Sequence, residues 1–173
     1  MEIHVLNSST EELEEFSFPF AQLLSDAVEQ GASVGYLAGT SIETYEEFWE
    51  QELREVHYGR AKILYATKEN EIVGVVELAF APKQTAQHRA EVRKLLVRSD
   101  MQGQGIASKL MHYLELEARM SGKSLLVLDT EADSDADYLY PKLGWSVTGT
   151  VPDYAASPDG ELSDCTFYYK QLY

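Results

Sequence analysis

Apolar residues recur along this chain with two periods. Alternating or continuous β-rich runs at 3–6, 63–67, 72–80, 90–97, 124–129, 145–151 and 165–172 predict strands. The run at 124–129 is apolar from Leu125 to Leu128 and ends in Asp129, as expected of a strand buried on both faces. Helical spacing appears four times. Ser17 and Pro19 start a helix with Phe20, Leu23, Leu24, Ala27 and Val28 on one side, after a helical region opened by Glu11, Glu12, Glu14 and Glu15. Thr40 to Glu43 resembles a capping box ahead of Tyr45, Phe48, Trp49 and Leu53. Ile106, Leu110, Met111, Leu114 and Ala118 form the buried stripe of a helix that ends near Gly122, and a short helix at 133–143 closes at Gly144. Residues 69–71 read as a hairpin turn, 83–88 as a mobile polar loop, and 152–164 as a loop carrying Pro152, Tyr154, Pro158 and Gly160. The order predicts one α+β domain over 1–173: a mixed sheet of about seven strands with helices on both faces, and no linker.

Composition narrows the partners. A chain of 173 residues that is 45% hydrophobic can bury a real core. Its net charge of −15 argues against nucleic acid and against anionic membrane. No apolar run is long enough to cross a bilayer, and Met1 to His4 lacks the features of a signal peptide, so a cytoplasmic location is expected. Cys165 is the only cysteine and reads as a free core thiol. His4, His57, His88 and His112 lack metal-ligand spacing, so no metal is expected. The charge is uneven: residues 89–123 hold seven bases against four acids, +3, which leaves −18 for the rest.

That basic island surrounds Gln102-Gly103-Gln104-Gly105-Ile106-Ala107, a glycine loop between an apolar strand and a helix. The first amides of a helix lack intrahelical partners and carry the positive end of its dipole, so the loop predicts a phosphate site. Ile106 after Gly105 rules out a Walker loop, and Ser108 stands where a dinucleotide fingerprint needs its third glycine.

Gln102-x-x-Gly105-x-Ala107, with Leu95-Leu96-Val97 before it and Leu139-Tyr140-Pro141-Lys142-Leu143-Gly144-Trp145 after it, resembles the GNAT N-acetyltransferases over residues 90–145. Glu91 to Leu95, Leu128 to Ala132 and the segments from Pro152 to Lys170 look more narrowly like the tabtoxin-resistance acetyltransferase, which acts on a small amine-bearing toxin. The resemblance implies a mostly antiparallel seven-stranded sheet, acetyl-CoA as cosubstrate, direct acetyl transfer to the amine of a small molecule, and a homodimer. A protein or peptide acetyltransferase, or a CoA-binding sensor without turnover, are the alternatives.

It also implies roles. The backbone amides of Gln104, Gly105, Ile106 and Ala107, with Ser108, would hold the pyrophosphate, Gly103 would belong to the same cofactor-binding loop, and Arg98, Gln102 and Lys109 would be neighbours. Leu95, Leu96 and Val97 would pair with the pantetheine arm. Asp133 stands where many members have an asparagine that contacts that arm. An alkylamine with a pKa of ~10.4 is neutral in roughly one molecule in 2,500 at pH 7, so a base is useful. Glu91 and Asp129 are the candidates, and Tyr140 would protonate the departing thiolate. Glu131, Asp133, Asp135 and Asp137 either attract a cationic acceptor or form a solvated helix start.

Overall fold

In the computed structural model, which describes residues 1–173, seven strands form one sheet in the order β1-β2-β3-β4-β5-β7-β6. They are β1 (Glu2–Leu6), β2 (Ala61–Lys68), β3 (Glu71–Phe80), β4 (Arg89–Val97), β5 (Leu125–Glu131), β6 (Ser146–Ala156) and β7 (Leu162–Gln171). The one parallel pair is β4 with β5. Helices α1 (Ser17–Glu29) and α2 (Ile42–His57) cover one face, packing Phe20, Leu24, Trp49 and Val56 on Leu6, Ile63, Val75 and Leu96. Helices α3 (Ile106–Met120) and α4 (Asp135–Lys142) cover the other, where Leu110, Met111, Leu114 and Tyr140 meet Leu64, Val76, Leu78, Val92, Leu126 and Leu128. The α+β reading with helices on both faces therefore holds.

Two irregularities position the site. Val75 pairs with Leu96 but Glu77 pairs with Arg93, so β4 carries one residue more than β3 across that stretch. Lys94 sits in this bulge with a left-handed φ of 52°. Ala90 and Val92 face the α3 core before the bulge; after it Leu95 and Val97 pack there, while Leu96 turns to the α1–α2 core. Arg93 and Lys94 therefore both project toward the α1–α2 face. The second irregularity is the parting of β4 from β5. They pair only at Arg89↔Leu125, Ala90↔Leu126 and Glu91↔Val127. Beyond that point β4 follows β3 to Val97, while β5 follows β7 to Glu131↔Cys165.

Several local expectations change. The α2 N-cap is Ser41, one residue later than the capping box proposed, because its Oγ accepts from Thr44 N–H at 3.4 Å. The acidic segment after β1 forms only a 3₁₀ turn, Leu13–Phe16. The 83–88 segment is a built turn, with Ala86 buried and Gln87 Nε2 donating to the carbonyls of Ala81 and Lys83. Most of the 152–164 loop is strand. Pro152 is accommodated because β6 is an edge strand, where a missing N–H costs no ladder bond. A bulge between Val151 and Ala155 absorbs the extra residues, with Asp153 at φ 50° and its N–H donating to Asp164 Oδ1 at 3.0 Å.

Candidate active site

Where β4 and β5 part, a cleft of about 910 Å³ opens through the sheet. One mouth lies at the N-terminus of α3. The α3 N-cap is Gly105, at φ 77°, with no side-chain cap, and Lys109 N–H is the first to bond back, to Gly105 O at 3.1 Å. The amides of Ile106, Ala107 and Ser108 thus have no intrahelical acceptor. Gly103 and Gly105 take left-handed φ values that disfavour side chains, and a Cβ on either would meet nothing within 4 Å. Unpartnered donors, the positive dipole end and open space together fit a phosphate group. Leu95, Leu96, Val97, Gln102, Gly103, Gly105, Ile106, Ala107 and Ser108 all line the cleft, and past Glu91 the β4 edge that faces β5 has no strand partner. These residues fit the phosphate and the extended arm of acetyl-CoA.

Other expected contacts lie elsewhere. Asp133 and Gln104 do not line the cleft. Asp133 has φ 61° and donates its N–H to Asp137 Oδ2 at 2.9 Å, while the Gln104 amide oxygen accepts from Lys68 Nζ at 3.0 Å. Lys68, unmarked by any sequence motif, thereby enters the loop's surroundings from β2. Gln102 Nε2 braces the loop on Val97 O at 3.3 Å. Arg98 is already matched by Glu71 and Asp100, at 2.8 and 2.6 Å.

The other mouth opens on the α1–α2 face. Leu126 and Leu128 of β5 face the α3 core, so Asp129 and Glu131 project oppositely, onto the same face as Glu91, Arg93 and Lys94. Glu91 and Asp129 therefore stand on opposite walls of the cleft, both exposed to it. Asp129 Oδ2 accepts from Cys165 Sγ at 3.3 Å, and burial pushes that thiol up to about 12. Tyr140 reaches the cleft from α4, only 5% exposed, its ring against Trp145 and Tyr168. Burial, then the nearby Asp129, raises its pKa well above the usual phenol value. A phenol is already a weaker acid than a thiol, so this site suits Tyr140 to donating a hydrogen bond rather than releasing its proton.

Sequence reasoning missed the charged cluster beside Glu91. Arg93, two residues from Glu91, bonds Glu52 of α2 at 2.6 Å and Glu77 of β3 at 2.8 Å. Glu77 is fully buried; burial first, and the neighbouring Glu52 carboxyl next, push its pKa up to about 8. A lone glutamate inside the apolar 72–80 run was the available signal. Lys94 donates from Nζ to Val34 O at 2.9 Å and lies over the Phe48 ring.

A bridge roofs this mouth. In the α1–α2 connection, Ala38 N–H donates to Pro158 O at 2.8 Å and Ser33 Oγ to Ala156 O at 3.4 Å. The connection thus docks on the β6–β7 hairpin, and Ser157 Oγ ties the hairpin to Glu131 at 2.8 Å.

Comparison with known proteins bears on the family and the fold. The model of the acetyltransferase (GNAT) family matches residues 26–145, a longer span than the 90–145 segment carrying recognisable motifs. The L-amino acid N-acyltransferase MnaT of Escherichia coli is 34% identical over 87 residues, 50% of this chain and 49% of that protein. The match thus spans about half that relative's length. Among solved structures, the ribosomal-protein-alanine N-acetyltransferase of Brucella melitensis superposes with a TM-score of 0.79 at 24% identity, over 99% of this chain and 100% of that one. The yncA protein of Salmonella typhimurium, solved with its cofactor acetyl-CoA, gives 0.78 at 19% identity, over 100% and 95%. Both share the fold.

Proposed function

The chain belongs to the acetyltransferase (GNAT) family, and on that premise we propose that it transfers acetyl from acetyl-CoA to the amine of a small molecule in the β4–β5 parting. Acetyl-CoA supplies the activated acyl group. The amides of Ile106, Ala107 and Ser108 hold its phosphates, and the free β4 edge at Leu95 to Val97 orients its arm. Glu91 and Asp129, on facing walls, receive the proton that an ammonium must lose before it attacks. Reaching the neutral amine at pH 7 costs about 4–5 kcal/mol, which a positioned carboxylate lowers directly or through water. Tyr140 donates a hydrogen bond to the sulfur as the C–S bond breaks, and the proton that the nitrogen sheds on forming the amide ends on that sulfur, so that CoA leaves as the free thiol.

The roof carries the choice of a small acceptor. An extended peptide needs an open groove between the α1–α2 connection and the β6–β7 hairpin, and here the two are joined by the Ala38–Pro158 backbone bond. The activity of the Escherichia coli relative, on L-amino acids, and the resemblance to a toxin acetyltransferase point the same way. The name of the Brucella melitensis neighbour favours a protein acceptor, but the likeness there is one of fold.

The test is CoA release from acetyl-CoA with a panel of small amines and amino acids beside ten-residue peptides with free N-termini. Turnover of small amines, with peptides inert, is the expected result. Preferential acetylation of the peptides would overturn the small-acceptor reading, and CoA binding with no turnover of any amine would favour a sensor.

A further inference from the structure

On its acceptor side the cleft holds a cation without an anion. Lys94 lines the cleft and is largely buried, and no carboxylate lies within ion-pairing distance of its Nζ. Its Nζ makes one hydrogen bond within the protein, to Val34 O, and stands 5.1 Å from the Phe48 ring centroid. An ammonium has three donors, and burying one without a counter-ion is costly. The nearest acids do not meet that need. Glu52 and Glu77 are both bonded to Arg93, and burial holds Glu77 toward its neutral form. Asp129, across the parting, is engaged by Cys165. Desolvation accordingly lowers the Lys94 pKa, as expected of an uncompensated cation.

We propose that Lys94 is the specificity-determining residue of the acceptor site and recognises a carboxylate, so that the amine acetylated here belongs to an amino acid. The bulge is what makes this geometry available. An unbroken β4 would turn position 94 toward the α3 core, whereas the extra residue sends Lys94 to the face that carries Glu91 and Asp129. The acceptor mouth therefore presents a cation on β4 and acids at Glu91 and on β5, an arrangement that matches the two poles of a zwitterion. A simple monoamine leaves Lys94 unpaired, and a diamine brings a second cation toward it. The inference rests on the acetyl-transfer reading for its chemistry but not for its test.

The test is equilibrium binding, by calorimetry in the presence of CoA, of the twenty L-amino acids and then of the best ligand's carboxamide. The wild type should prefer the acid by tenfold or more. Lys94→Met should remove that preference by weakening the acid at least tenfold while leaving the amide unchanged, and Lys94→Arg should retain it. Equal binding of acid and amide by the wild type would overturn the proposal. So would an equal loss of both in Lys94→Met, which would leave Lys94 as a tether for the Val34 loop. CoA release by the same proteins separates the two readings: acid preference in binding without turnover would sink acetyl transfer alone.

Discussion

Glu77 shows what a single buried charge does to this molecule. Its carboxyl lies at 0% exposure beside Glu52, with Arg93 as the shared partner, and its pKa is pushed up to about 8. A free glutamate titrates near 4.3, so the folded state holds this proton more tightly than the unfolded chain does. That contribution to stability is full below about pH 4 and is lost as pH rises toward 8. We expect the urea midpoint of the wild type to fall between pH 5 and 8. Glu77→Gln, which imitates the protonated form, should flatten that slope. An equal slope in the variant would place the titration elsewhere. At this scale the sequence was half legible. Glu91, Asp129 and Tyr140 could be picked out because each stands at a fixed offset from a motif or a strand end. Arg93 and Lys94 could not be told apart from solvent-facing residues, because the bulge that redirects them depends on pairing with β3.

Elements that end in open amides make the strongest single prediction. The N-terminus of α3 has no side-chain cap, and a Cβ on Gly105 would enter open space. Gly105→Glu would set a carboxylate against the bound phosphates and force a side chain onto φ 77°, whereas Gly105→Asn carries no charge and tolerates that φ. The Glu variant should bind CoA at least 100-fold more weakly in calorimetry, and the Asn variant should lie between it and the wild type. Near-normal affinity in the Glu variant would remove the phosphate site from α3. Most elements were readable from pattern alone, since amphipathic spacing in α3 reports its buried face and the continuous apolar runs of β2 and β3 report strands covered on both faces. The 152–164 segment was not. Proline and glycine signal loops in general, and only the edge position of β6 explains why a strand can run through Pro152.

The whole molecule is a sheet with a seam. Strands β1 to β4 form one half and β5, β7 and β6 the other, joined in the ladder by three register pairs at the closed end of the parting. The helices and the Ala38–Pro158 and Ser33–Ala156 hydrogen bonds add further connections across it. A ligand that lines both walls therefore adds contacts between halves that the backbone ladder does not join. Ligand that binds only the folded state at a hundred times its Kd stabilises by about 2.7 kcal/mol. For a domain of this size each kcal/mol is worth roughly 2–4 °C in Tm, so saturating CoA should raise the melting temperature by about 5–10 °C. Gly105→Glu should show little of that rise even though its own fold melts cooperatively. An unchanged melting temperature at millimolar CoA would mean that the seam does not hold the cofactor. An equal rise in the Glu variant would mean that CoA grips the molecule away from the α3 N-terminus.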